Sequence, residues 1–347
     1  MTAQPAVSII VLGWNGRRYV DECLTSLLDQ DFDRPYEILF VDNGSVDGTP
    51  DLAERYENVR VHRLEKNYGY CLGNNKGFEL AKGDLAVFLN QDVVLHRCWL
   101  RELVAAMESD PVIKAGHANI IQSWYPEFAV KERKERVAAA YTAELSPLGF
   151  VEYRKVPLEE PVLDTMFLHG VSIILKREVV EEIGGYVFDP DMFAYAEDMD
   201  LGLRIRSAGY RTVVATRAVL YHDHTLRDQV SLRSFIKTVR IIRNRLLAFW
   251  KCSSWIEFFP LAAITLVGAP FNSSQFGLSP FKKLLYFFLL MPPTVFAGFA
   301  AAAAMPRFAQ RRRDTLSRRR LPRGWLLRTL LFDRSRLSQA LPSPGHT

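Results

Sequence analysis

The sequence predicts an α/β fold: a mainly parallel sheet flanked by helices, followed by a helical C-terminal extension. Two patterns predict it. Over the first 120 residues, apolar runs of strand length alternate with stretches of helical period, the order that builds a parallel sheet covered by helices. Beyond Ser231 the chain changes to a basic amphipathic stretch, two strongly apolar segments and an arginine-rich tail. A sheet domain over residues 1–230 and a helical region over 231–347 are therefore expected; 347 residues suffice for a large core plus an extension.

Residues 7–12 (VSIIVL) form the first apolar run, and Tyr19, Val20, Cys23, Leu24, Leu27 and Leu28 then repeat at helical spacing. Residues 37–41 (EILFV) make a second strand, ended by the turn-rich DNGSVDGT of 42–49. A short helix, a strand at 59–64, a polar glycine-rich stretch at 67–77 and a buried strand at 85–89 (LAVFL) follow. Residues 123–161 are polar and rich in Lys and Glu, and read as an excursion around a short helix. Regular pattern returns from Thr165 to Tyr221.

Charge is unevenly placed. Eleven arginines and two aspartates after Pro306 give the tail +9 of the net +5, so the first 306 residues carry −4. A nucleic-acid-binding domain would carry its basic stripe on the fold itself, so no nucleic-acid partner is expected. The pattern suits an enzyme whose tail meets an anionic surface. Cys23, Cys71, Cys98 and Cys252 form no CxxC pair, which argues against zinc and a disulfide framework and for reduced thiols in the cytosol. The N-terminus shows no basic n-region or cleavage site, so no signal peptide is expected.

Four constellations carry candidate chemistry. Asn90-Gln91-Asp92 follows an apolar strand; a carboxylate there can ligate Mg²⁺ or Mn²⁺, or cap the next helix. Glu197-Asp198-Met199-Asp200 places three carboxylates in four residues, either favoured by a helix dipole or holding a general base whose pKa apolar neighbours raise. Tyr221-His222-Asp223-His224 offers two imidazoles after a strand, as ligands or as structural groups. In 67–77, Asn67, Gly69, Gly73 and Gly77 permit close approach to a ligand or simply make tight turns. Neither GxxxxGK[ST] nor GxGxxG is present.

Together these residues resemble the inverting family-2 glycosyltransferases of the Rossmann-like GT-A fold, particularly the branch with rhamnosyl- and galactofuranosyltransferases. The resemblance covers about residues 5–225 and rests on VSIIVLGWNG (7–16), VDNGSVDGT (41–49), NYGYCLGNNKGFELAKGD (67–84), LNQDVVL (89–95) and the long segment 169–210 around FAYAEDMDLGLR. It implies that Asp42 holds the base or ribose of a nucleotide-sugar donor and that Trp14 and Asn15 line the base pocket. Asn67, Gly69 and Asn90 would lie at the nucleotide. Asp92, the last residue of a DxD-like motif, would bind Mg²⁺ or Mn²⁺, with His222 completing the metal site. Asp198 would be the catalytic base, with Glu197 beside it. Gly13 and Trp14 stand where Thr/Ser-Tyr is commoner, and Asn90 replaces the first Asp of a strict DxD. The QxxRW motif of processive synthases is missing and Arg243-Asn244-Arg245 is a basic segment of another kind, so one or a few sugars are expected to be added.

Two other readings compete. A nucleotidyltransferase would need a basic glycine-rich phosphate loop near the first strand, of which VLGWNGRRY is a poor version. An inactive membrane scaffold of the same fold is opposed by the presence of Asp42, Asp92 and Asp198. In the C-terminal region, residues 284–305 hold 22 residues without a charge, long enough to span a bilayer, but Pro292-Pro293 is expected to break them. Nine arginines from 307 to 328 follow directly. They point to the cytoplasmic face of a membrane with anionic lipids, and hence to a lipid-linked saccharide acceptor in envelope polysaccharide synthesis. Lys282 and Lys283 between the apolar segments favour shallow insertion.

Overall fold

The computed structural model describes residues 4–123, 128, 140–145, 151–156, 158–223, 232–269 and 280–331. Among the described residues nine strands form one sheet: β1 (Val7–Gly13), β2 (Tyr36–Asp42), β3 (Val59–Arg63), β4 (Leu85–Asn90), β5 (Val93–Leu95), β6 (Ile113–Gln122), β9 (Val162–Asp164), β10 (Ser172–Lys176) and β11 (Arg211–His222). β7 (Ala140–Leu145) and β8 (Val151–Val156) pair antiparallel beside it. The order is β3-β2-β1-β4-β10-β6-β11-β5, with β9 also on β11. The first four strands are parallel, as the alternating pattern predicts, and β6 and β11 are parallel to each other. β10 runs antiparallel between β4 and β6.

Apolar side chains alternate across the sheet. Ile10, Leu39, Val41 and Phe88 point to one face; Ile9, Val11, Ile38, Phe40 and Val87 point to the other. Helices α1 (Arg17–Leu28) and α4 (Trp99–Glu108) cover the second face through Leu24, Leu27, Trp99 and Leu103. A short α2 (Thr49–Ala53) follows the β2 loop, and a short α5 (Val179–Glu182) follows β10. On the first face lie α3 (Gly69–Leu80) and α6 (Glu197–Ser207). The glycine-rich stretch at 67–77 is thus largely helix rather than turn. Its glycines serve close packing: a Cβ at Gly77 would fall 2.3 Å from Ile10 Cγ2, and one at Gly73 would fall 2.6 Å from Leu12 Cδ1. Within 123–161 the described residues include the β7–β8 pair, and residues 124–127 and 129–139, where the expected short helix could fall, lie outside the described residues.

The C-terminal region adds α7 (Leu232–Cys252), α8 (Trp255–Gly268), α9 (Pro280–Ser317) and α10 (Trp325–Leu331). Pro292-Pro293 does not interrupt α9, contrary to expectation. Each proline removes one backbone donor, and Thr294 Oγ1 donates locally to the Leu290 carbonyl at 2.7 Å. One apolar cluster runs from Phe88 of β4 through Leu201 of α6 and Leu247 of α7 to Ala301 and Phe308 of α9. Buried charges join the same elements. Lys251 Nζ lies 2.6 Å from Asp189 and 2.7 Å from Asp200, which also pairs with Arg204 at 2.9 Å. Arg311 of α9 bonds both Asp189 (2.6 Å) and Asp191 (2.8 Å), and Arg319 bonds the buried Glu257 at 2.9 Å. Several tail arginines are therefore partners of this fold's own acids.

Candidate active site

Strand register gathers the polar residues on one edge of the sheet. Gly13 lies opposite Asp42, and Leu12 opposite Asn90, so three strands end side by side. Gln122 and His222 end the neighbouring pair β6 and β11, opposite each other. Because β10 runs the other way, it starts at this edge, and His169-Gly170-Val171 lie just before it. Ligands of open α/β sheets bind at such carboxyl ends.

At the first strand pair the loops are stitched together. Asn15 N donates to Ser45 Oγ, and Val46 N donates to Asn15 Oδ1, both at 2.9 Å. Asp42 is buried; its Oδ2 accepts from Ser45 N at 3.0 Å, while its buried Oδ1 has no partner. Trp14 stands half exposed, its carbonyl held by Gln91 Nε2 at 2.9 Å. Asn67 Oδ1 accepts from Gly69 N (2.8 Å) and Asn43 Nδ2 (3.3 Å), so Asn67 shapes the loop that opens α3. Gly69 has φ +83°, and a Cβ there would fall 2.5 Å from the Phe193 carbonyl oxygen.

At the second group, Asp92 Oδ1 lies 3.3 Å from His222 Nε2. His222 Nδ1 meets Gln122 Oε1 at 2.7 Å, and an amide oxygen can only accept, so Nδ1 carries the proton. In a neutral ring Nε2 then turns a lone pair toward a carboxylate oxygen. An imidazole nitrogen and a carboxylate oxygen so placed make a donor set that suits a divalent cation. Gln122 Nε2 also reaches His169 Nε2 at 3.4 Å. Among the described residues no group of three or more His, Cys, Asp or Glu gathers as a metal site. His224 lies outside the described residues.

The three carboxylates that open α6 have three environments. Asp200 is fully buried and ion-paired to Lys251 and Arg204, which hold its pKa down against burial. Glu197 is buried with Oε2 unpartnered; burial, then the Asp198 charge, push its pKa well up. Asp198 is half-buried, with Oδ2 accepting from Gly170 N at 3.1 Å and Oδ1 from Met199 N at 2.8 Å. Burial raises its pKa to about 6, against those N–H bonds and the Arg245 charge. A carboxylate that titrates near neutrality can take a proton, whereas Asp200 is held in its ion pairs. The Gly170 peptide joins the two halves, because Asn90 N donates to the Val171 carbonyl at 3.0 Å. Asp198 is thereby tied through Gly170-Val171 to the strand that ends at Asn90 and precedes Asp92.

The loop entering α6 is strained: Phe193, Tyr195 and Ala196 have φ of 62°, 74° and 61°. Asn244 of α7, fully buried, holds it. Its Nδ2 donates to the carbonyls of Met192 (2.9 Å), Ala194 (3.1 Å) and Tyr195 (2.9 Å). Sequence reasoning missed this role, along with those of Gln122 and Gly170. The available signal was a polar Asn at a core position of an amphipathic helix. Asn244→Ala and Asn244→Asp should both lower kcat about tenfold with little change in donor KM. The loss of a buried hydrogen-bonded clamp is worth about 1–3 kcal/mol, and an aspartate cannot donate in its place. Wild-type kcat in Asn244→Asp would remove the clamp from the account.

The parallel strands, the loops meeting at their ends and a poised carboxylate at a helix start define a GT-A type transferase. The glycosyl transferase family 2 profile matches residues 8–184, and the chain belongs to that family. It is 30% identical over 224 residues to the N-acetylglucosaminyl-diphospho-decaprenol L-rhamnosyltransferase of Mycobacterium tuberculosis, covering 57% of this chain and 71% of that one. It is 25% identical over 227 residues to the O-antigen chain rhamnosyltransferase RfbN of Salmonella typhimurium, covering 64% of this chain and 66% of RfbN, just under two thirds. In fold it is similar to a mannosyltransferase from Pyrobaculum calidifontis solved with GDP-Man and Mn²⁺. That match has a TM-score of 0.53 at 20% identity, and covers 97% of this chain and 86% of that one.

Proposed function

We propose that this glycosyltransferase moves a sugar, of the rhamnose class, from a nucleotide donor to a hydroxyl of a lipid-linked saccharide, with inversion at the anomeric carbon. The observation that carries the reading is Asp198: a half-buried carboxylate with a pKa raised to about 6, anchored to the peptide that adjoins the Asn90–Asp92 strand end. Asp198 takes the proton of the acceptor hydroxyl as that oxygen attacks the anomeric carbon; the nucleoside diphosphate leaves from the opposite face. Burial, then the Asp198 charge, push the Glu197 pKa well up, which disfavours a second negative charge beside the base.

The donor's nucleoside is assigned to the first loop pair. The unpartnered Oδ1 of Asp42 suits a base or ribose donor group, and the exposed Trp14 ring offers a stacking face beside Asn15. Asn67 and Gly69 support that wall through the loop that opens α3, and Asn90 faces the diphosphate end. Asp92 and His222 are the residues that would hold a divalent cation, and their opposed acceptors fit one. When bound, Mg²⁺ or Mn²⁺ supplies positive charge to the departing diphosphate. Residues 1–230 are assigned to this chemistry and 231–347 to membrane attachment at the cytoplasmic face, in envelope polysaccharide synthesis.

Purified protein incubated with a panel of nucleotide sugars and a polyprenyl-diphosphate saccharide should release nucleoside diphosphate from one class of donor. The product should carry the anomeric configuration opposite to the donor's. Retention of configuration, or release of pyrophosphate with nucleotide transfer, would overturn the reading in favour of a different reaction.

A further inference from the structure

The outer surface of the C-terminal helices departs from that of a soluble enzyme. On α8, Trp255, Ile256, Phe259 and Val267 repeat at helical spacing, and all are exposed. On α9, Phe288, Pro292, Val295, Phe296, Phe299, Ala302 and Pro306 are exposed along one stripe. The stripe then turns polar at Gln310 and basic at Arg307 and Arg313. The opposite stripe of α9, with Ala297, Ala301 and Phe308, is fully buried. The two helices are antiparallel neighbours: a Cβ at Gly298 would touch Leu266, while Arg312 lies 4.8 Å from the Trp255 ring. Only two acidic residues occur from 232 to 331. One is Glu257, buried on Arg319, and the other is Asp314, which accepts from Gln310. Exposed apolar area beside exposed arginines, without exposed unpaired acid, is complementary to a leaflet with anionic head groups.

We infer that α8 and α9 lie in the plane of such a leaflet, apolar stripes in the acyl boundary and arginines at the head groups, and that α9 does not cross the bilayer. The inference rests on the membrane attachment in the reading above and decides how it is made. Length alone would permit a crossing, since residues 288–306 extend about 27 Å as a helix against a hydrocarbon core of about 30 Å. The inner stripe forbids it. Ala297, Ala301 and Phe308 pack in the cluster that holds Val239, Ile242 and Leu246 of α7 and Phe88 of the sheet. Phe308 also lies against Arg243 and Lys251, at 5.8 and 5.5 Å. A crossing would either strip α9 from this core or draw the cations of α7 into hydrocarbon. In-plane burial leaves every one of these contacts intact and covers only the exposed stripe.

The test uses the full chain with vesicles of phosphatidylcholine alone or mixed equally with phosphatidylglycerol. Binding should require phosphatidylglycerol, and Arg307→Gln and Arg313→Gln should each weaken it about fivefold, as about 1 kcal/mol per surface cation requires. Phe259→Glu with Phe296→Glu and Phe299→Glu should weaken it at least about a hundredfold. The same triple variant should keep the far-UV spectrum and the release of nucleoside diphosphate with a soluble acceptor. Trp255 fluorescence should be quenched more by lipids brominated near the head group than by those brominated near the chain ends, with Trp255→Phe as the control. Deepest quenching at the chain ends would overturn in-plane placement, and unchanged binding of the triple variant would overturn the docking surface. Failure of the wild-type chain to bind phosphatidylglycerol vesicles, with transfer intact, counts against this inference alone; absent transfer in a wild-type chain that binds them counts against the proposed reaction alone.

Discussion

Asp198→Asn is expected to lower kcat for sugar transfer by about 10²–10⁴-fold, the range for removing a general base. Nucleoside diphosphate affinity should change little, because the proposed base acts on the acceptor. The variant should not melt earlier. Burial raises the folded pKa of Asp198 above its ordinary value, so its protonated form is the one the fold favours. That stabilising contribution is complete below the ordinary carboxylate range and is lost as pH rises through about 6. A neutral amide at pH 7.5 escapes the cost of a buried charge, which offsets the bond lost from Met199 N. Low activity with an unchanged or higher Tm is the expected pair of results. In the wild type, kcat/KM should rise with pH through about 6 and level off above it, as the carboxylate forms. A variant keeping more than a tenth of wild-type turnover would remove Asp198 from the base role.

Asp92→Ala should lower kcat by about 10²–10³-fold, the cost of losing one group that supports charge on the leaving group. The direct readout is binding. Nucleoside diphosphate affinity of the wild type, measured by calorimetry, should rise on adding Mn²⁺ or Mg²⁺, whereas that of Asp92→Ala should not respond. Chelator should stop transfer and either cation should restore it. His222→Ala should give a milder loss, because Gln122 holds a ring that contributes one of the two facing acceptors. Full transfer in excess chelator would remove the cation from Asp92 and His222.

Much of the sheet region was legible in the order of residues. Strand runs such as VSIIVL and LAVFL carry their burial in their composition, because a strand covered on both faces must be apolar throughout. The acids stand out because polar residues after such runs are forced to the sheet edge. Asp42 and Asp92 could therefore be singled out from the sequence, and Asp198 from its place among three carboxylates in four residues. The glycines at 73 and 77 were visible but ambiguous. A missing Cβ serves a turn and a close helix–sheet contact equally well, and only the position of Ile10 and Leu12 distinguishes them.

The chain order alone determined the α/β class, the change of character after Ser231 and the set of candidate acids. Each depends on local periodicity or composition, which a sequence carries directly. Tertiary structure decided which of three adjacent carboxylates is poised to titrate. Lys251, 51 residues beyond Asp200, neutralises Asp200, while the Gly170 peptide reaches Asp198 and nothing pairs Glu197 Oε2. It decided that Asn244 holds the strained loop, a role that depends on three carbonyls 49 to 52 residues away. It also decided that Arg311 and Arg319 answer buried acids, leaving Arg307 and Arg313 to face outward. Charge, burial and hydrogen bonding are properties of neighbours in space, and the neighbours that matter here are far apart along the chain.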